Sequence, residues 1–465
     1  MLPDDVKSVS KKYDSVSNYL NMATKETTLE IPELIEFLRS SLHNLPDERK
    51  PGNNTKYQVE NAVMAAFSVF FTQSESFLDH QRLMKSNKGK DNAASLFSIE
   101  LIPSDNQIRN LLDPVPANNI FMVFQKVYEW LEEQGILKKF FYLGEELLIA
   151  LDGTEYFSSN KINCPHCNCR NHRNGTTTYF HGCVTPIIVS PNQKQVINLE
   201  PEFIKKQDGH QKQDCENAAV KRWLNQNHKN KYGKAVTLLG DDLYAHEPIC
   251  ELALKQGYNF IFVCLETSHK TLYEWLDFLD KSGEVTTIEK KKWDGRKNLI
   301  YRYRYASRLP LMDKDSSIEV NWCELTIINE KTEEVIYQNN WITNHKITEN
   351  NVEDIVNAAR SRWKIENEGN NVLKNHGYNL EHNFGHGKNH LCELLLSLNL
   401  LAFLFHTALD LVNLTYQKVR ELLVTRTTFF KDIRTLLKYL FFQDWSHVFS
   451  FILTEHVPFK KANSS

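Results

Sequence analysis

Three carboxylates stand where a sheet-borne metal site would need them. The apolar run Leu147–Leu151 ends in Asp152, and AVTLL (235–239) leads through Gly240 into Asp241 and Asp242. A third, Glu366, lies in ARSRWKIENEGNNVLK (359–374), a stretch of helical character. Carboxylates are the hard oxygen ligands that Mg2+ or Mn2+ takes. Two such ions held side by side can activate one oxygen of an in-line phosphoryl displacement and stabilise the leaving one. The order strand-Asp, strand-Asp, helix-Glu supplies acids from separate elements. The competing reading is that an Asp after a strand caps a turn; with 58 Asp and Glu in the chain, spacing alone does not separate the two.

A second set is Cys164-x2-Cys167-x-Cys169-x2-His172, with His166, His181 and Cys183 close in sequence. Tetrahedral zinc takes four such donors, and a Cys-x2-Cys turn places two thiolates in advance. A structural zinc on Cys164, Cys167, Cys169 and His172 is one reading. A reduced-thiol loop is the other, because the usual second Cys-x2-Cys or His pair is missing. His181 falls on an expected strand and reads as a core residue or one that supports a ligand.

These groups need elements to position them. Periodicity predicts helices over Ile31–Leu42, Val59–Met84 and Val123–Leu137, with a helix start after Ser104. KSNKGKDNAAS (85–95) has the composition of a loop. Strands are expected from Leu147, over Tyr179–Val189, over Lys194–Leu199, at Ala235–Leu239 and at Phe260–Cys264. Helices are expected over Asp214–Asn225 and Pro248–Gln256. Residues 265–350 alternate in the β manner, and helix returns from Asn351 through Asn375, across Leu391–Val424 and over Phe429–Leu453. The resulting division is a helical N-terminal region (1–140, its first 28 residues polar and loosely packed), a core in two parts (141–265 and 351–425), a β-rich insertion (266–350) and a helical C-terminal region (426–465).

Across 465 residues, 41% are hydrophobic and the net charge is −3, an ordinary globular balance that excludes a histone-like polycation. The N-terminus lacks a secretory pattern, and nine cysteines are too sparse for a disulfide scaffold, so the cytoplasm is the expected compartment. The apolar run Leu391–Val412 contains Glu393, Asn399, His406 and Asp410 and reads as a buried core helix rather than a membrane span. Charge is uneven, however. Residues 286–310 hold eight Lys and Arg against two acids, with Trp293, Tyr301, Tyr303 and Tyr305 interleaved; residues 203–234 hold eight against three, and 412–465 eight against four. Basic groups neutralise phosphates and aromatic faces stack on unpaired bases. In YRYRY, Arg302 and Arg304 fall on one strand face and the tyrosines on the other. A solvated β face with outward charges is the plainer alternative.

The blocks IALDGTEYFSS (149–159), KQDCENAAVKRWL (212–224), LLGDDLYAHEPICE (238–251) and RSRWKIENEGNNVLKNHGYNLEHNFGHG (360–387) resemble a bacterial insertion-sequence transposase of the DDE superfamily, of the cut-and-paste type with a β insertion. The resemblance spans roughly residues 60–450. It implies an α/β (α+β) fold: a ribonuclease-H-like mixed sheet with flanking helices, interrupted by a mostly β insertion, with helical N- and C-terminal regions. It implies catalytic and metal-binding roles for Asp152, Asp241 and Glu366 around a pair of Mg2+ or Mn2+ ions. It also implies double-stranded DNA partners (inverted-repeat ends and target), a homodimer on DNA, and a bacterial, nucleoid-associated location. The family's signature helix has Tyr, two residues, Arg, three residues, Glu, six residues, Lys. Arg362 and Glu366 fit; Ala359 stands at the Tyr position and Leu373 at the Lys position, with Lys374 one place later. Glu366 is preferred to Glu368, and Asp241 to Asp242 because Asp-x-x-Tyr244 fits the pattern. Arg362 and Lys374 are the implied phosphate contacts, although Arg362 and Glu366 are also spaced for a helix-surface ion pair. In relatives the β insertion carries an aromatic that stacks on a flipped base: Trp293 is the candidate, with Trp322 and Trp341 as alternatives that suit the core better, and Arg302 and Arg304 are candidate DNA contacts. Rival readings are a catalytically inactive transposase-derived DNA-binding protein, a metal-dependent nuclease without strand transfer, and a zinc-stabilised DNA-binding protein.

Overall fold

The computed structural model describes residues 28–43, 45–47, 49, 52, 56–85, 87–205, 214–227 and 229–455. The polar N-terminal segment, Lys206 and Lys212 of the basic stretch 203–234, and Lys460 and Lys461 lie outside the described residues.

The N-terminal part is helical: α1 (Ile31–Ser40), α2 (Val59–Phe71), α3 (Phe77–Lys85), α4 (Asn87–Phe97), α5 (Asp105–Leu112) and α6 (Phe121–Glu133). Helix α5 starts as expected, with Ser104 and Gln107 forming a reciprocal capping box. The helix expected over Val59–Met84 is two helices. The break falls at Thr72–Ser76, where Thr72 Oγ1 takes the Ser68 carbonyl at 2.8 Å and Gln73 adopts φ 52°; side-chain hydroxyls that bond the backbone compete with helix continuation. The loop expected over 85–95 is instead helix α4. Its polar composition is overridden by burial of Ala93, Leu96 and Phe97, and by Asn92, whose amide donates to the Leu437 and Leu440 carbonyls at 2.9 and 2.7 Å.

The chain then enters β1 (Leu147–Ala150), β2 (Gly153–Ser159), β3 (Asn168–Asn171), β4 (Thr177–Val184), β5 (Ile187–Val189), β6 (Ile197–Asn198) and β7 (Glu202–Ile204). Helix α7 (Glu216–Gln226) leads to β8 (Val236–Gly240), α8 (Glu247–Lys255) to β9 (Asn259–Val263), and α9 (Lys270–Lys281) to β10 (Thr286–Trp293), β11 (Asn298–Pro310), β12 (Glu319–Asn329) and β13 (Val335–Thr343). The strand expected over Tyr179–Val189 is divided at Thr185-Pro186. Pro186 has no N–H to give a ladder, and the chain passes there from one sheet to another: β4 pairs with β2, β3 and β7, whereas β5 pairs with β1.

The main sheet has nine strands in the order β6-β5-β1-β8-β9-β13-β12-β11-β10. Strands β6, β5 and β1 are antiparallel neighbours; β1, β8 and β9 are parallel and joined by helical crossovers. Third–second–first–fourth–fifth is the ribonuclease-H-like order. Strands β1 and β8 are buried along their whole length, which is why they read in the sequence as unbroken apolar runs. The β insertion continues this sheet, because β13 pairs antiparallel with β9. Within it α9, invisible to the alternating pattern, buries Leu272 and Leu276 against the strands.

The chain closes with α10 (Val352–Arg360), a π-helical turn (Ile365–Asn370), α11 (Asn371–Asn375), α12 (Leu391–Val412), α13 (Leu414–Leu422), α14 (Arg426–Tyr439) and α15 (Trp445–Glu455). Helix α12 is the apolar run noted above. It is long and apolar enough to cross a membrane, but nearly all of it is enclosed by the rest of the protein. Helices α1, α2, α5 and α6 and strand β6 pack on it, so the N-terminal helices share one continuous apolar core with the sheet.

Candidate functional site

The register of the central strands brings the first two acids together. Ala150 pairs with Leu239 across the parallel β1–β8 ladder, so Asp152 and Asp241, each two residues further on, leave adjacent strands side by side. The Leu243 N–H donates to Asp241 Oδ1 at 2.9 Å as the chain turns into a short 3-10 segment. Glu366 comes from the π-helical turn, a form that recurs at functional sites because its extra residue re-aims side chains. From the same turn Asn370 donates to Asp152 Oδ2 at 3.0 Å, and the Thr185 N–H donates to the Asp152 carbonyl at 3.0 Å. Arg362 donates to Glu366 Oε1 at 2.7 Å.

The two alternative acids have surroundings of their own. Asp242 Oδ1 accepts from the Leu265 N–H at 2.6 Å and lies 3.3 Å from His269 Nε2, so it ties down the end of β9. Glu368, two residues from Glu366 and therefore on another side of the turn, lines a separate cavity of about 450 Å3 with Lys194, Asp410, Arg420 and Arg426.

Sequence reasoning missed a fourth carboxylate. Glu216, in the first turn of α7, accepts from the Tyr244 hydroxyl and from the Gly153 backbone. Gly153 leaves room for it: a Cβ there would overlap the Glu216 carboxylate and displace it. Burial pushes Asp152 up to about 7; Glu216 adds to the rise, Arg362 opposes it, and Glu366 and Asp241 add further. Asp241 is raised chiefly by burial, against the Leu243 N–H and Arg362. Glu216 is likewise raised by burial, against the Tyr244 hydroxyl. Four carboxylates thus crowd one guanidinium, an imbalance that a divalent cation relieves and that oxygen donors suit. The acids sense one another without closing up. Among the described residues, the one group whose donor atoms all lie within 4.8 Å of each other is not this one.

The flanks of the signature helix behave differently. Ala359 and Leu373 are core residues. Lys374 pairs with Glu381 at 2.9 Å.

The tight group is Cys164, Cys167, His181 and His386. Of the expected zinc set, Cys164 and Cys167 take part. Cys169 lies on β3 outside the group, and His172 Nε2 sits 2.8 Å from Thr178 Oγ1. The two histidines come from β4 and from the segment before α12, the latter 205 residues from its partner. The Gly-His-Gly-Lys-Asn-His pattern at 385–390 was the available signal, and it carried no finger spacing.

In the β insertion the basic residues are largely compensated. Arg302 pairs with Glu289 at 2.7 Å, and Arg304 with Asp280 at 2.8 Å and Glu324 at 3.6 Å. Lys290 and Lys292 both reach Glu353, and Lys291 reaches Glu330. Trp322 and Trp341 are core residues, whereas Trp293 is 63% exposed at the end of the β10–β11 hairpin. Beside it Arg296 and Lys297 make no ion pair among the described residues.

A family model described as "Transposase DDE domain" matches residues 164–404. The matched segment contains Asp241 and Glu366 and begins after Asp152. No curated protein matches. Among solved structures, the chain resembles one described as "Cryo-EM structure of piggyBac transposase synaptic complex with hairpin DNA", at 10% identity and a TM-score of 0.39, over 93% of this chain and 80% of that one. A likeness that loose transfers no residue roles.

Proposed function

The chain belongs to the family of proteins with a transposase DDE domain, and from that premise we propose that it cleaves DNA at the ends of a mobile element and joins the freed ends to a target. The observation that carries the reading is the convergence of Asp152 and Asp241, from adjacent parallel strands, with Glu366 from the π-helical turn. Proteins of this family generally depend on divalent metal. Here Asp152, Asp241 and Glu366 would hold Mg2+ or Mn2+, which supplies activation of the attacking oxygen and charge relief on the leaving one. Asn370 and the Thr185 backbone hold Asp152 in place. Arg362 holds Glu366, lies close enough to Asp152 and Asp241 to lower the pKa of both, and would contact a scissile phosphate. Glu216 is a positioning residue that packs against Gly153 and orients the turn after Asp152. The DNA is double-stranded, with the exposed Trp293 tip as a contact for an unstacked base. Two ends cut together call for a homodimer, and the compartment is the cytoplasm.

The test uses linear DNA carrying the sequences that flank the gene, incubated with purified protein and Mg2+ or Mn2+. Strand-specific cleavage at the element boundary and joined products on a target plasmid are expected, both lost in Asp152→Asn and Glu366→Gln. Binding without cleavage would make the protein an inactive relative, and cleavage without joining a nuclease. Full cleavage by Asp152→Asn would overturn the assignment of the acids.

A further inference from the structure

We infer that Cys164, Cys167, His181 and His386 form a structural zinc site that clasps the β2–β4 hairpin to the segment following the catalytic turn. The inference rests on the geometry of the four donors and not on the transposase reading. The separations are 3.7 Å for Cys164 Sγ–Cys167 Sγ, 3.4 Å for Cys164 Sγ–His181 Nε2 and 3.3 Å for Cys167 Sγ–His181 Nε2. Cys167 Sγ–His386 Nε2 is 3.5 Å and His181 Nε2–His386 Nε2 is 3.2 Å. A tetrahedron built on Zn–S of about 2.3 Å and Zn–N of about 2.05 Å has edges of about 3.8 Å (S–S), 3.6 Å (S–N) and 3.3 Å (N–N). All five separations lie within about 0.3 Å of that figure. The sulfurs are too far apart for a disulfide, whose S–S bond is about 2.05 Å.

The surroundings fit a metal as well. His386 Nδ1 lies 2.9 Å from the Gly387 carbonyl; an Nδ1–H donating there leaves the Nε2 lone pair facing the group, the usual arrangement for a ligating imidazole. The Cys164 N–H reaches Cys167 Sγ at 3.4 Å, and the Cys167 N–H donates to the Cys164 carbonyl at 3.1 Å, closing the Cys-x2-Cys turn. Cys167, His181 and His386 are buried, with the Phe157 ring 4.4 Å from His386 and Tyr156 stacked on His181. The two buried Nε2 atoms face each other at 3.2 Å, and if both rings present bare lone pairs to the group a shared cation satisfies them together.

The site adds a direct link between parts of the chain far apart in sequence that already pack together through Phe157 and His386. His181 pairs with Phe157 across β2–β4, four residues along from Gly153 and so about 13 Å from the Asp152 end. His386 follows Glu366 and Asn370 in the chain, in a segment already anchored by Asp113, which accepts from the Lys388 and Asn389 N–H groups at 3.0 Å. The metal would stiffen the frame on which Asp152 and Glu366 meet without touching either.

The test reads metal in the DNA-free protein, so it is independent of cleavage. Protein purified without chelator is expected to carry one zinc per chain, and Co2+ in its place to give the intense visible bands of tetrahedral thiolate coordination. His386→Ala is expected to weaken metal binding at least about tenfold. His386→Cys should keep one metal and shift the cobalt bands, while Cys169→Ser and His172→Ala keep full occupancy and an unchanged spectrum. Protein that holds no zinc and develops no cobalt bands would overturn the site, as would iron with sulfide, a Cys164–Cys167 disulfide, or a cobalt spectrum unmoved by His386→Cys.

Discussion

Asp152→Asn should make the metal-free protein more stable at neutral and alkaline pH, although it removes a proposed catalytic group. Asp152 titrates at about 7 in the fold because it is buried and crowded by Glu216, Glu366 and Asp241, and near 3.9 in an unfolded chain. Below about pH 4 both states are protonated and the carboxyl contributes its full share of stability. As pH rises towards 7 the folded state keeps a proton that the unfolded state has released, so stability falls; above about 7 the loss is complete. Three pH units correspond to about 4 kcal/mol as a ceiling. Relaxation and counter-ions reduce this to roughly 1–3 kcal/mol, on the order of 2 °C in Tm per kcal/mol or less for a chain of this length. An asparagine keeps an oxygen for the Asn370 amide and removes the charge. Thermal melts in EDTA should therefore show the variant above wild type at about pH 8, with the gap shrinking towards about pH 5. Saturating Mg2+ should reverse the order, because wild type gains about 2.7 kcal/mol at a hundred times Kd and the variant loses a ligand. A variant no more stable than wild type at pH 8, or a gap that does not change with pH, would refute the crowding argument.

Other outcomes separate neighbouring residues. Asp241→Asn should melt at or above wild type in EDTA at neutral pH, because burial raises that carboxyl too, and lose cleavage by about 100-fold or more, whereas Asp242→Ala should keep cleavage and lose at most about 1 kcal/mol in urea unfolding, since the Leu265 N–H it releases is exposed. Glu366→Gln should abolish cleavage of end DNA while Glu368→Gln, on the far side of the turn, leaves the rate within a few-fold. Gly153→Ala should cost about 1–3 kcal/mol by displacing Glu216, and part of that should return in the double variant with Glu216→Ala, measured as non-additive urea midpoints. Trp293→Ala should leave Tm unchanged and weaken binding to ends with an unpaired base by about 5- to 150-fold, as read by fluorescence anisotropy.

The central strands and their acids were legible because buried parallel strands announce themselves as apolar runs, and the Asp that ends each run takes its place from the register. What stayed hidden depended on partners remote in sequence. Segment 85–95 looks like a loop until Asn92 is seen to hold the carbonyls of α14 and the turn after it. The passage from β4 to β5 looks like one strand until Pro186 hands the chain from one sheet to another. Glu216 carried no mark of its role because its significance is the absence of a side chain at Gly153. The group of four donors was only half visible because Cys-x2-Cys shows two of them, while Cys169 and His172, the next in the pattern, are carried away along the hairpin that brings His181 back.

Charge shows the same limit in a form that bears on DNA. A local surplus of lysine and arginine predicts a positive surface only if the opposing acids are not brought in from elsewhere, and here they are. Glu353 of α10 meets Lys290 and Lys292, and Asp280 of α9 with Glu324 of β12 meets Arg304. Exposed pairs of this kind contribute little to stability, but they do cancel the field that would draw in phosphate. The acidic centre is the converse: no acidic run marks it, yet residues 152, 216, 241 and 366 concentrate carboxylates in one place. DNA approaching it meets repulsion unless metal is present, so its initial hold has to come from surface where compensation fails. In the β insertion the hairpin end carrying Trp293, Arg296 and Lys297 is one such surface, since neither of its two cations has an ion pair among the described residues, unlike Arg302 and Arg304. Binding in the absence of divalent metal should therefore be more sensitive to Arg296 and Lys297 than to Arg302 and Arg304.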